Sequence, residues 1–308
     1  MYDVVVAGDY CLDFIFARLE AFPSLGVEVR SASFGVIPGA AYNPVVAMHR
    51  LGLRVGWAAD FGNDDFSRQA IEFARREGLD ESLFVHHKRP LRRITAALTF
   101  PEDRAFVAYY DPEPKVPAAV RQMTKMRTRL VYIPGMYTGP AFDLGVRALR
   151  EQSAQILMDG NLIDEADVGR PAIQRVLSKL DAFLPNRREA QLITGETDVR
   201  HILRRLQELT RLPILKAGSE GAYALQDGGV VHCPALPLEP LDTTGAGDCF
   251  SAGFIKARLD GQPLEDCLRW GNIVGGLSTL GHGGTGRVVR LDDVLARLGE
   301  LRCTQASL

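Results

Sequence analysis

The run Asp242-Thr243-Thr244-Gly245-Ala246-Gly247-Asp248 carries the residue types and spacing from which chemistry is most readily read. An extended, proline-punctuated segment, Cys233 to Pro240, precedes it, and an apolar helical pattern through Phe250, Phe254, Ile255, Ala257 and Leu259 follows. Small residues at 245–247 therefore fall where a loop becomes a helix. Backbone N–H groups at a helix start lack internal partners, and the helix dipole favours negative charge there. Glycine lets an anion approach that backbone closely. Asp248 lies in the same first turn. A nest for an anion with a carboxylate beside it suits phosphoryl transfer, the carboxylate taking the proton of an attacking hydroxyl. The plainer reading is a glycine turn with Asp248 as a helix-start charge.

Other polar residues fall at the ends of expected strands, where open α/β sheets bind ligands. They are Asp9 and Asp13, Gly39 and Asn43, Asn186 and Glu189, and Gly218. Asn186 and Glu189 stand three apart at a helix start, a spacing equally suited to a capping box and to a carboxylate that holds Mg²⁺ through water. Asp13 and Asn43 are candidates for binding sugar hydroxyls. Lys216 ends a strand, where it either reaches a phosphate or is solvated. The basic run Lys88-Arg89-Pro90-Leu91-Arg92-Arg93 reads as a solvated loop, with a phosphorylated substrate as the minority reading. Gly281-His282-Gly283-Gly284-Thr285-Gly286 fits G-x-G-x-x-G but follows a helix, so it fails the test for a dinucleotide fingerprint. No G-x-x-x-x-G-K-[ST] occurs, which excludes a P-loop.

The elements that must position these residues alternate along the chain. Val4 to Ala7 reads as a buried first strand. Tyr10 to Phe34 is a hairpin-like excursion, and Pro38 to Asn43 opens a helix to about Leu51. A strand at 55–59, a helix from Asp64-Asp65 to Gly78 and a short strand at 82–86 come next. A second excursion pairs Ile94–Phe100 with Ala105–Tyr110 around a Pro101-Glu102-Asp103-Arg104 turn. From Arg129 onward, strands at 130–133, 155–158, 182–184 and 213–216 alternate with helices at 141–151, 171–179, 187–194 and 199–210, arguing for a parallel sheet covered on both faces. An antiparallel hairpin at 222–233 follows, then helices at 246–259 and 264–280 and a last short helix near Asp292. The two excursions together predict a small sheet outside the main one, a plausible lid over a substrate cleft.

Composition bounds the function. Of 308 residues, 46% are apolar and 24% charged, and the formal net charge is −2, which gives no sign of a nucleic-acid or membrane-surface partner. Met1 to Val6 begins directly with a strand pattern and lacks the regions of a secretory leader, so a cytoplasmic protein is expected. The cysteines, Cys11, Cys233, Cys249, Cys267 and Cys303, are odd in number and widely spaced, so reduced thiols are expected rather than a disulfide framework or zinc site. Cys249 reads as a small apolar helix residue.

Several of these stretches, in order, resemble the ribokinase-like (PfkB) carbohydrate and nucleoside kinases over nearly the whole chain. Gly8-Asp9-x-x-x-Asp13 is similar to the family's opening strand and substrate aspartate. Pro38-Gly39-Ala40-Ala41-Tyr42-Asn43, with Leu51-Gly52 and Gly62-Asn63-Asp64-Asp65-Phe66, resembles its first signature region. Asn186-Arg187-Arg188-Glu189 resembles its N-x-x-E motif, Lys216-Ala217-Gly218-Ser219-Glu220-Gly221-Ala222 its nucleotide-binding strand and turn, and Asp242 to Phe254 its second signature region. The resemblance implies a three-layer αβα sandwich with a mostly parallel central sheet and a small β-sheet lid. It implies a single domain over 1–308, the lid formed by roughly 10–36 and 92–111. It places the general base at Asp248, the anion hole at Gly245, Ala246, Gly247 and Asp248, and the acceptor sugar at Asp13, Gly39 and Asn43. The nucleotide falls at Asn186, Lys216, Gly218, Ser219, Gly221 and, on a loose match, Asn272. Glu189 would hold Mg²⁺ through water, and Asp242 is a candidate for a monovalent cation, K⁺.

The departures are informative. Pro38 stands where ribose-specific members carry a glycine, and no lysine follows Gly39, which argues against ribose itself. The leading expectation is an ATP-dependent sugar kinase that dimerises through the lid. A nucleoside kinase, with Phe14, Phe16 and Tyr109 offering a surface for the base, is the alternative within the fold. A non-catalytic sugar or nucleotide sensor is the alternative outside it.

Overall fold

The computed structural model describes residues 1–100, 104–122, 125–161 and 171–307. Its strands are β1 (Tyr2–Ala7), β2 (Tyr10–Ala17), β3 (Ser33–Ala40), β4 (Val55–Ala58), β5 (Asp60–Phe61), β6 (Val85–His86), β7 (Arg93–Thr99), β8 (Arg104–Tyr110), β9 (Thr128–Ile133), β10 (Gln155–Asp159), β11 (Ala182–Leu184), β12 (Ile214–Lys216), β13 (Ala222–Gln226), β14 (Gly229–Cys233) and β15 (Thr304–Ser307). Its helices are α1 (Tyr42–Arg50), α2 (Asp65–Arg76), α3 (Ala118–Arg121), α4 (Pro140–Glu151), α5 (Pro171–Leu177), α6 (Arg187–Thr194), α7 (Val199–Gln207), α8 (Ala246–Leu259), α9 (Leu264–Ser278), α10 (Gly283–Gly286) and α11 (Leu291–Leu295).

Five parallel strands lie in the order β11-β10-β9-β1-β4. Side chains alternate between the faces, so neighbours on a strand enter different cores. Val4, Val6, Leu130, Tyr132 and Leu157 pack in one core with α1, α8 and α9. Val5, Val131, Ile156 and Met158 pack in the other with α4, α5 and α7. Both faces are covered, which is why these strands read as continuous apolar runs. Parallel bridges Phe183↔Pro213 and Asn186↔Lys216 carry the sheet into the antiparallel set β12-β13-β14-β15. The result is the expected three-layer α/β sandwich.

The two excursions build one separate sheet, β3-β2-β7-β8, joined by parallel pairing of Leu12–Phe16 with Ile94–Leu98. The turn expected at 101–103 lies outside the described residues. Among the described residues, no helix is long and apolar enough to cross a membrane.

Three details differ from the sequence reading. Pro38 to Ala40 do not open a helix; they pair with Leu12, Cys11 and Tyr10 and extend β3, and α1 starts only at Tyr42. β15 adds an unexpected edge strand, since Thr304-Gln305-Ala306 has no alternating pattern to announce it. By pairing His232 with Thr304 it brings Cys303 beside Cys233, and the two form a disulfide with Cα atoms 4.1 Å apart. The expectation of five reduced thiols is therefore corrected. A sequence separation of 70 concealed the pair, and Cys11, Cys249 and Cys267 stay free and buried.

Candidate active site

A cleft of about 1500 Å³ runs along the carboxyl edge of the parallel sheet, between it and the small sheet. Asp248, Asn43, Asp13, Asn186, Glu189, Lys216, Gly218, Ser219, Gly221, Asn272 and Gly245–Gly247 all line it. Gly39 and Asp242 are not among the lining residues. Gly39 lies behind Asp13, whose carboxylate occupies the space a side chain on Gly39 would need.

Gly245 caps α8 in the left-handed region at φ 71°, a conformation that favours glycine. A Cβ there would also come within 2.6 Å of the Gly284 Cα. Asp242 shapes the loop: its Oδ1 accepts from the Thr244 N–H (2.9 Å) and hydroxyl (2.7 Å), and its Oδ2 from the Gly283 N–H (2.8 Å). The glycine-rich segment after α9 thus braces the loop that leads into α8. The Ala246 N–H closes a turn on the Thr243 carbonyl at 3.3 Å, and Gly247 and Asp248 follow in the first turn of α8.

Asp248 Oδ2 accepts from Asn43 Nδ2 at 3.0 Å. Burial first, then the nearby Asp159 carboxylate, pushes the Asp248 carboxyl up to about 7, against the pull of the Asn43 hydrogen bond and Lys216. A base titrating near the working pH is well matched to proton abstraction. Asn43 is itself buried, and among the described residues its Oδ1 receives no donor. Cys249 donates to the Gly284 carbonyl at 3.1 Å, and burial pushes its thiol up to about 12, as expected of a structural residue.

Toward the small sheet, Asp13 faces the cleft and its carboxyl is pushed up to about 6, chiefly by burial. Beside it lies a pair the sequence reading missed. Arg93 is buried, not solvated, and its Nη2 donates to Asp9 Oδ2 at 2.6 Å. Burial raises Asp9 to about 7, while Arg93 opposes it. Arg92 is likewise committed, clasping Asp111 at 2.9 and 3.0 Å. The signal for Arg93 was its place at the first position of an alternating strand.

On the far side, Asn186 and Glu189 form a complete capping box on α6, with Glu189 also accepting from Asn186 Nδ2 at 2.7 Å. Burial, followed by the charge of Asp159, raises the Glu189 carboxyl. Gly221, at φ 96°, has the Cys233–Ala235 backbone packed against it and is needed for that reason alone. Asn272 donates to the Cys233 and Pro234 carbonyls at 2.7 and 3.0 Å, tying α9 to the strand that leads into the anion loop. The residue most conspicuously missed is Asp159, buried at the end of β10 and bonded to Lys216 at 2.5 Å. A carboxylate ending a buried parallel strand was the available signal.

The fold and site define a ribokinase-like α/β enzyme. The structure of Arabidopsis thaliana ribokinase complexed with ribose and ATP superposes with a TM-score of 0.82 at 18% identity, covering 96% of this chain and 98% of that one. Bacillus subtilis ribokinase is 24% identical over 301 residues, 96% of this chain and 98% of that protein. A cytidine kinase from Thermococcus kodakarensis is 37% identical over 106 residues, 33% of this chain and 38% of that protein. The family profile described as pfkB family carbohydrate kinase matches residues 1–289, and the chain belongs to that family.

Proposed function

We propose that this kinase transfers the γ-phosphoryl group of ATP to a hydroxymethyl group of a sugar or sugar derivative. The observation that carries the reading is Asp248, a carboxylate at the head of α8, braced by Asn43 and raised to about 7. Asp248 takes the proton of the acceptor hydroxyl. The first-turn N–H groups over 245–248 meet the negative charge on the transferred group, an electrostatic contribution prepared before the reaction. A ligand donor reaching Asn43 Oδ1 would satisfy a buried acceptor that otherwise weakens the fold.

Among the described residues, the carboxylates of Asp9, Asp13, Asp60, Glu113 and Asp248 line the acceptor end against the cations of Arg93 and Lys216. That balance favours a neutral acceptor over an acidic or phosphorylated one. The fit of Mg²⁺ is supported by Glu189, whose carboxyl is raised by burial and by Asp159 and would be relieved by a cation. Glu189 would hold the ion through water, consistent with the reluctance of Mg²⁺ to dehydrate. When bound, Mg²⁺ neutralises charge on the nucleotide phosphates. Asp242 would be the carboxylate for a monovalent cation such as K⁺, which would share its oxygens with the donors of Thr244 and Gly283.

The small sheet acts as a lid on residues 10–36 and 92–111 of a single domain. Its exposed Phe34 and Val107 would pack against a second copy. A nucleoside acceptor is the second reading. Of the rings expected to serve it, Phe14 and Phe16 lie tilted against Phe34 within the small sheet and the Tyr109 hydroxyl donates to Asp111, whereas Phe106, Tyr110 and Tyr137 line the cleft and offer a surface for a base. ADP release measured with ATP and Mg²⁺ across neutral sugars, sugar acids and nucleosides tests the proposal. Turnover of neutral sugars is expected. Turnover of nucleosides alone would favour the second reading, and ligand binding without turnover would make the chain a sensor.

A further inference from the structure

Asp159 is more heavily bonded than its place beside a reaction site requires. Its Oδ2 accepts from Lys216 Nζ at 2.5 Å and from the Tyr132 hydroxyl at 2.9 Å, and lies 3.1 Å from Ser251 Oγ. Its Oδ1 accepts from the Gly160 N–H at 2.8 Å. The side-chain partners come from three elements, β12, β9 and α8. Ser251 follows Asp248 by three residues on α8, so the two project to the same side of that helix. The carboxylate therefore bolts the edge of the sheet to the helix whose first turn is the anion nest.

Lys216 is the consequence. Its ammonium, largely buried, sits so near the nest that a Cβ built on Gly247 would lie 3.4 Å from Nζ. A buried ion pair is weak evidence for stability, since apolar replacements of similar volume often serve the fold equally well. A cation held this firmly at a helix start that already attracts anions has a use in binding one. We propose that Asp159 is a positioning residue that fixes the Lys216 ammonium beside Gly247, where it faces the phosphoryl group in transfer. This inference rests on the kinase reading above. In this arrangement Lys216 adds a fixed positive wall to the backbone donors of the nest. Asp159 keeps the ammonium from swinging toward two neighbouring carboxylates of the cleft, Asp248 and Glu189.

The test is a cycle of Lys216→Met, Asp159→Asn and the double variant. Lys216→Met is expected to lower kcat by about 10²–10³-fold, the effect of removing one preorganised donor, with the KM for the acceptor unchanged. Asp159→Asn retains an oxygen for Tyr132 and Ser251 but loses the charge, and is expected to lower kcat by about tenfold or more. The double variant, which leaves no unpaired buried charge, is expected to melt near the wild type and to have a kcat no lower than that of Lys216→Met, because the two residues act as one unit. Calorimetry with a non-hydrolysable ATP analogue and with AMP gives a readout independent of turnover: the double variant should lose affinity for the triphosphate and keep it for AMP. A folded double variant with wild-type kcat, or with wild-type affinity for the analogue, overturns the inference. A wild type that neither binds the analogue nor turns over any acceptor refutes the kinase reading instead.

Discussion

The two ends of the cleft are built in different ways. The proposed transfer end is organised by one contiguous run, Asp242 to Asp248, whose backbone turn, left-handed Gly245 and helix start are local properties of the chain. The proposed acceptor end is assembled from distant residues. Asp9 meets Arg93 across 84 positions, and Asn43 reaches Asp248 across 205. Chemistry that depends on backbone conformation is written in neighbouring letters. Chemistry that depends on charge pairing between elements is written only in the fold.

Removing the base should have the largest effect. Asp248→Asn is expected to keep the fold and lower kcat by about 10²–10⁴-fold, the range of general-base catalysis, as read by steady-state kinetics. Near-normal turnover would detach chemistry from the transfer end.

Arg93→Met probes the other end through stability. It leaves Asp9 in a buried site without its cation, and is expected to cost about 3 kcal/mol in denaturant unfolding. Asp9 can partly escape that cost by taking up a proton, since burial already holds its carboxyl near 7. Adding Asp9→Asn to Arg93→Met should therefore recover part of the loss. A single variant as stable as the wild type would mean that the pair is not closed.

The pH profile should separate the ends more finely. A base must be ionised, so kcat/KM should rise with pH through about 7 as Asp248 loses its proton, and level off above it. Below about 6 the decline should steepen as Asp13 is also protonated. A profile flat from pH 5 to 8 would remove both carboxylates from the free enzyme's requirements. The smallest expected effect is on assembly: light scattering should give twice the monomer mass, falling toward that of the monomer when Phe34 and Val107 are replaced by polar residues. A monomeric wild type would remove the dimer.

Much of the fold was legible because alternating apolar runs and helix caps are local signals. Asp64 capping α2 and the Asn186–Glu189 capping box on α6 mark helix starts that the residues alone announce. Where the reading failed, a partner from elsewhere decided the outcome. Pairing with β2 drew Pro38–Ala40 into a strand, and β14 drew the polar C-terminal segment into an edge strand. Asp248, Asn43 and Lys216 were singled out from their positions, and they converge on one cleft. Arg93 was misread because a basic run is usually solvated, and only the fold places Asp9 opposite it. Asp159 went unnoticed because nothing next to it in sequence marks the three side chains that converge on its carboxylate.

The central claim is that Asp248 delivers a hydroxymethyl oxygen to the γ-phosphorus of ATP. Phosphorus NMR of a reaction with a turned-over neutral sugar tests it most directly. The expected result is a phosphomonoester coupled to a CH₂ group, formed together with ADP by the wild type and absent over the same time with Asp248→Asn. Equal product from the variant, or release of inorganic phosphate alone by the wild type, would contradict it.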